Sequence, residues 1–413
     1  MIRLSGKVFS FLLFLSVANI AVAQLPTPDY RGLNVPIAEV TSSRAAYMGM
    51  DSNDIPNHWN ANVIITQIGN DAEQDDITTE QEYTTMMETE LQEFEAKLAE
   101  LCPQGMKVIF NLYSTLGGFD NRGGGQLPNE KLATLQLAQD VFVSFWGTIA
   151  QRFSSSQYNS CILAYNLKNE PQLNDIAAGL KTWEELAPLA VAAIRQHEPN
   201  KLIIVPAAGA NVSLLKNLPS SLADDDNICL GANAYPFLDY QHSGIDGVGT
   251  DIPAPSNKKL KTKLGKPLGT FQHKQQKKVN KNLQAKLLPI CITEEATSKE
   301  AEDAEIFMER LFSFFENEND DAGRGPNAKI VKKKKCKRQG PAGSAARKKC
   351  LKKRNWQLAL PQVDIDMWMH HAMYESAVWD PRVGPNPSDT AVDLPTLTSR
   401  GEVLHEYFQY NLP

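Results

Sequence analysis

The chain has little cysteine for its length. Six residues, at 102, 161, 229, 291, 336 and 350, are spread over 413 positions. They are too few and too scattered for a disulfide scaffold, and no CxxC pair or Cys/His cluster marks a metal site. Beyond its first residues the chain also lacks any run near the roughly 18 apolar residues needed to cross a bilayer. The early apolar run, Val8 to Val17, follows Arg3 and Lys7 and leads to Ala21, Val22 and Ala23. A basic start, a short apolar core and small residues before a cleavage point read as an export signal over 1–23, with the mature chain starting near Gln24. The alternative, a membrane-anchoring helix, is weakened by the shortness of the run and the absence of a stop-transfer pattern after it. The expected location is extracellular or periplasmic. In that oxidising setting Cys336–Cys350 and Cys102–Cys161 are candidate bridges, with buried free thiols as the alternative.

Acidic residues are missing from two long stretches. Residues 257–286 hold 10 lysines, residues 329–354 hold 13 Lys or Arg, and neither contains Asp or Glu. Taking those 23 from the 42 basic residues leaves 19 against 48 acids, so an acidic body carries two basic inserts. Both read as solvated charged surface, or else as contacts to an anionic polysaccharide, lipid or nucleic acid through nonspecific electrostatics. Without aromatic residues interleaved among the lysines, specific nucleic-acid readout is not expected.

What is present is an alternation of short β-type runs and helical patterns. The runs are 32–35, 63–68, 107–114, 162–167, 201–208, 228–235, 288–295 and 364–375, the last also fitting a helix. Apolar residues at helical spacing fill 83–101, 131–153, 177–196, 300–316 and 399–410. Eight strands buried on both faces and separated by helices pair in parallel and close into a barrel, so the expected fold is α/β, a (β/α)8 TIM barrel with two lysine-rich insertions. One domain over 24–413 is expected, as a monomer. In such a barrel the loops after strands form the catalytic face, which brings Tyr113, Glu170, Tyr235 and Glu294 to one mouth. The second insert follows the seventh helix and is expected on the far side. The early part of the first insert is expected to approach the mouth, with its lysine-rich end coating a helix surface.

The run ILAYNLKNEP, 162–171, ends an apolar strand in Asn169, Glu170 and Pro171, while PICITEE ends another in Glu294 and Glu295. A carboxylate at the tip of a buried strand stands on a rigid support beside a cavity. Two of them facing each other can hydrolyse a glycosidic bond, one as proton donor and one as nucleophile, when they stand about 5–5.5 Å apart. The donor must hold its proton near neutral pH, which partial burial beside another carboxylate favours. Since successive strand residues face opposite sides, only one of Glu294 and Glu295 is expected to face the mouth. Trp146 and Trp183 sit at helical spacing and are expected in the core, while Trp59 and Trp356 are assigned neither way.

These fragments, with RGLNV at 31–35, FWGTIAQRF, AIRQHEPNKLIIVPA, NAYPFLDYQHSG and HAMYESAVWDPR, resemble glycoside hydrolase family 5, the cellulase-type hydrolases of clan A. The likeness runs through most of the mature chain. It implies that Glu170 is the acid/base, with Asn169 placed to hydrogen-bond a sugar 2-hydroxyl. It implies that Glu294 is the nucleophile, with Glu295 where the family has an aromatic residue, and that Tyr235 hydrogen-bonds the nucleophile. His242 and Gly244 match a T-H-Q-G element. Trp368 to Ala372 match a W-x-Y-H-A branch pattern, placing His371 at a strand tip and Trp379, as a sugar platform or as packing, in the loop beyond. Neither cofactor nor metal is implied.

Three polar partners depart from the family pattern. Ile65 stands where the family has an arginine at the end of the second strand, Tyr113 where it has a histidine, and Asn233 where it has another. Tyr113 and Asn233 retain hydrogen-bonding groups and are counted among the substrate-binding candidates. The expected function is a secreted retaining β-glycosidase acting on a polysaccharide or oligosaccharide such as β-glucan or mannan. The alternative is a noncatalytic carbohydrate-binding protein on the same barrel, motivated by those three departures.

Overall fold

The computed structural model describes residues 30–36, 61–69, 77–120, 129–241, 243, 249, 251–297, 301–315 and 365–371. Eight strands form the barrel: β1 (Tyr30–Pro36), β2 (Val63–Ile68), β3 (Lys107–Leu112), β4 (Ile162–Asn166), β5 (Leu202–Asn211), β6 (Ile228–Asn233), β7 (Ile290–Glu295) and β8 (Ile365–His371). Each runs parallel to its neighbours in sequence, and β8 pairs with β1 to close the ring. All eight apolar runs of the sequence are therefore strands, including the last, whose pattern also fitted a helix. Closure brings β1 hard against β2. A Cβ on Gly32 would lie 1.8 Å from the Val63 carbonyl oxygen, so only glycine fits there.

The helices pack outside. α1 (Glu80–Leu101), α2 (Gln136–Ser154), α3 (Trp183–Arg195) and α5 (Ala304–Phe315) follow the apolar spacing of the sequence, whereas α4 (Lys266–Val279) lies in the first lysine-rich stretch, where no such spacing is read. Thr79 with Glu82, and Thr182 with Glu185, form capping boxes that start α1 and α3. Outward-facing strand residues such as Phe110 and Tyr165 meet Phe94, Phe145, Trp146 and Phe153 in one apolar layer. Trp146 and Trp183 are core, as expected, and their indole N–H groups donate to the carbonyls of Leu167 and Pro206 at 3.2 and 2.7 Å.

The barrel interior is apolar at its floor, where Val63, Ile65, Ile109, Ala164, Ile204, Cys229, Cys291 and Met367 pack together. One step of two residues along several strands changes its character: Gln67 follows Ile65, Asn111 follows Ile109, Asn166 follows Ala164 and Thr293 follows Cys291, all buried. The interior thus passes from a hydrocarbon floor to an amide-lined layer, above which the catalytic mouth opens.

Two disulfides tie the described residues. Cys102–Cys161 joins the end of α1 to the start of β4, as the sequence suggested, and Cys229–Cys291 crosses between β6 and β7 inside the barrel. The second was not foreseen, because the two cysteines meet only once their strands pair. No described helix is long and apolar enough to cross a membrane. Of the lysine-rich stretches, 257–279 folds as helical turns leading through α4. The stretch 329–354, with Cys336 and Cys350, lies outside the described residues, as do 1–23, 399–410, Trp59 and Trp356.

Candidate active site

The strand ends surround a cavity of about 700 Å³ whose walls include Gln67, Tyr113, Asn169, Glu170, Asn233, Tyr235 and Glu294. The four tips expected to converge, Tyr113, Glu170, Tyr235 and Glu294, all reach it. From the first basic stretch, Lys263 and Leu264 ahead of α4 and Pro267 in its first turn form part of the same wall.

Glu294 reaches the cavity because of an irregularity in β7. Opposite β6, Ala232 pairs with Ile292 but Asn233 pairs with Glu294; opposite β8, Trp368 pairs with Ile292 but His370 pairs with Glu295. Against both neighbours β7 carries one extra residue after Ile292, which breaks the two-residue alternation as a β-bulge does. Continued alternation from Cys291 would have sent Glu295 inward in its place. Instead Glu294 lines the cavity, 9 % exposed, and Glu295 is fully buried.

Side chains from two segments donate to Glu294, and a third acts through one of them. The Tyr235 hydroxyl donates to its Oε1 at 2.7 Å, and Asn34 Nδ2 on β1 donates to its Oε2 at 3.4 Å. Gln67 Nε2 donates in turn to Asn34 Oδ1 at 3.2 Å, so a neutral relay runs from β2 through β1 to the carboxylate. Burial, then the Glu294 charge and more weakly Glu170 and Glu295, push the Tyr235 phenol well above its ordinary range. It therefore stays protonated and continues to donate.

Ile65 does not reach the mouth. Its side chain lies in the apolar barrel floor, and the mouth position on β2 belongs to Gln67, one alternation further. The signal was available in VIITQI, where the inward set is Val63, Ile65 and Gln67, and the same step picks out Asn111 and Asn166. Asn34, in the partner relay, has no such distinguishing signal.

Glu170 is held from the same side. Asn233 Nδ2 donates to Glu170 Oε1 at 2.6 Å, while Thr293 Oγ1 donates to Asn233 Oδ1 at 2.8 Å, which fixes the amide orientation. The end of β6 and the residues just after it thus supply one partner to each carboxylate, Asn233 to Glu170 and Tyr235 to Glu294. The backbone beyond Glu170 meets an excursion of β5, where Pro206 pairs with Gly231 but Asn211 pairs with Asn233. The three extra residues on β5 carry Gly209 and Ala210 at positive φ and bring Gly209 N–H to the Pro171 carbonyl at 2.8 Å.

Asn169 is in the cavity wall beside Glu170. His371 ends β8 opposite Asn34 of β1. His242, Gly244 and Trp379 lie outside the described residues.

A family model described as cellulase (glycosyl hydrolase family 5) matches residues 41–321. No curated protein matches the chain. Among solved structures, Thermotoga maritima Cel5A in complex with cellobiose is similar at 15 % identity and a TM-score of 0.54, covering 92 % of this chain and 97 % of that one. An endo-β-1,4-glucanase from Xanthomonas axonopodis pv. citri is similar at 13 % identity and a TM-score of 0.51, covering 92 % and 99 %. At such identities the structures speak for the barrel, and the family model speaks for descent. The chain thus belongs to glycosyl hydrolase family 5, the cellulase family.

Proposed function

We propose that the protein hydrolyses O-glycosidic bonds in a β-linked polysaccharide such as β-glucan or mannan, with retention at the anomeric carbon. Glu170 protonates the departing oxygen while Glu294 attacks the anomeric carbon; Glu170 then takes a proton from water, which displaces Glu294 and frees the sugar. The observation that carries this reading is the pair itself. Glu170 and Glu294 line one cavity, each held by a side chain from the tip of β6. Asn169, Tyr113 and the Leu238 side of the cavity would contact the sugar chain, and the cellobiose held by Thermotoga maritima Cel5A agrees with a β-linked glucan as a first candidate. Two disulfides among the described residues suit an oxidising compartment and so support export through the signal at 1–23.

One observation favours the second reading, a noncatalytic carbohydrate-binding protein. Among the described residues, the donors to the two carboxylates include Asn34, Asn233 and Tyr235, each of them neutral. A single experiment separates the readings: reducing-end release from β-glucans, mannan and xylan, with Glu170→Ala and Glu294→Ala proteins whose folding is verified by circular dichroism. Hydrolysis that nearly vanishes in both variants supports the enzyme. Wild-type rates in either variant sink the mechanism, and a silent panel with measurable sugar binding supports the binding protein.

A further inference from the structure

Glu170 has a φ of +42°, a left-handed conformation that a non-glycine residue keeps only where its surroundings impose it. Those surroundings can be traced on both flanks. Before Glu170, the Asn169 N–H donates to the Leu112 carbonyl at 2.6 Å. Lys168 Nζ donates to the carbonyl of Tyr113 and, at 2.9 Å, to that of Asn169. After Glu170, the Gln172 N–H donates to Glu130 Oε1 at 2.6 Å, and the Glu130 N–H donates to the Gln172 carbonyl at 3.1 Å. Glu130 Oε2 lies 3.4 Å from Lys168 Nζ, and both side chains are only 1 % exposed. One carboxylate, 40 residues away in sequence, therefore reaches the chain on each side of Glu170.

We propose that Lys168 and Glu130 are positioning residues for the acid/base, a buried clamp that holds Glu170 in its left-handed conformation over the cavity. The proposal rests on the acid/base reading of Glu170 given above. Stability alone gives no reason for the pair, since burying two charges costs desolvation and an apolar pair of similar volume often does as well. Direction does. The ammonium group bridges oxygens from three segments, Tyr113 after β3, Asn169 after β4 and Glu130, whereas hydrocarbon would fill the space without fixing any of them. Neither side chain lines the cavity, so the clamp acts through Glu170 and not on the sugar.

The test uses the full chain with 2,4-dinitrophenyl and phenyl β-cellobiosides. Dinitrophenolate leaves without a proton, whereas phenolate departure needs the acid. For Lys168→Met, kcat/KM on the phenyl substrate should fall at least tenfold and on the dinitrophenyl substrate less than threefold, the pattern that Glu170→Ala shows in stronger form. Glu130→Gln keeps an acceptor for Gln172 and nearly the same shape, so it carries the test if Lys168→Met does not fold; a smaller loss of the same pattern is expected. Equal losses on both substrates, or no loss, in folded variants overturn the clamp while Glu170→Ala still discriminates. If Glu170→Ala itself does not discriminate between the leaving groups, the acid/base reading fails and the clamp with it.

Discussion

Replacing Tyr235 by Phe removes one oxygen and changes little else. That hydroxyl donates to Glu294 Oε1 at 2.7 Å, and burial together with the nearby carboxylates keeps its proton in place. Hydrogen bonds to charged groups contribute about 1.5–3 kcal/mol, and about 1.4 kcal/mol is a factor of ten in rate. Full loss would lower kcat roughly 12- to 140-fold. Asn34 still donates to the other oxygen at 3.4 Å, so Glu294 keeps a partner and the lower part of that range, about 12- to 40-fold, is expected. The loss should fall on kcat, because the hydroxyl contacts the attacking group. Initial rates of reducing-end release over a range of polysaccharide concentrations would measure it, with thermal unfolding recorded alongside. An unchanged kcat, or a rise confined to KM, would refute the reasoning and assign the hydroxyl to sugar binding.

Three further outcomes concern stability. Replacing both Cys102 and Cys161 by Ala opens a loop with a sequence separation of 59, and the chain-entropy relation gives a loss of about 4 kcal/mol; urea unfolding should show it with kcat on folded protein unchanged. Gly32→Ala should lose about 1–3 kcal/mol by overpacking, since its Cβ would collide with the Val63 carbonyl; unaltered unfolding would show that β1 and β2 do not meet as described. Burial raises the pKa of Tyr83, Tyr165 and Tyr235 above the ordinary 10.0, so the folded chain keeps protons that the unfolded chain releases. Their contribution is then complete below about pH 10 and declines as pH rises above it. Phenolate absorbance from these residues should appear only together with loss of circular dichroism, and ionisation within folded protein would contradict the burial.

The barrel was legible because its signal is local. Each strand is a run of Val, Ile, Leu or Ala between helical patterns, and VIITQI at 63–68 is recovered without a change of boundary. The tips were legible for the same reason, since Asn169, Glu170 and Glu294 end apolar runs. Gln67 was legible in principle, two residues beyond Ile65 on the same face of β2. The clamp was not legible. Nothing near Glu130 or Lys168 says that two chain segments 38 residues apart will bury these charges together.

The amino-acid sequence by itself determined the eight strands and their parallel closure and marked two candidate glutamates, because period-two and helical burial patterns act over a few neighbouring residues. Tertiary structure decided which of Glu294 and Glu295 faces the cavity, since an extra residue in β7 has meaning only against its partners β6 and β8. It also decided that Asn233 donates to Glu170, that Cys229 meets Cys291, and that Lys168 and Glu130 pair in the interior. Each of these contacts joins residues tens of positions apart, and only the closed barrel sets their distance.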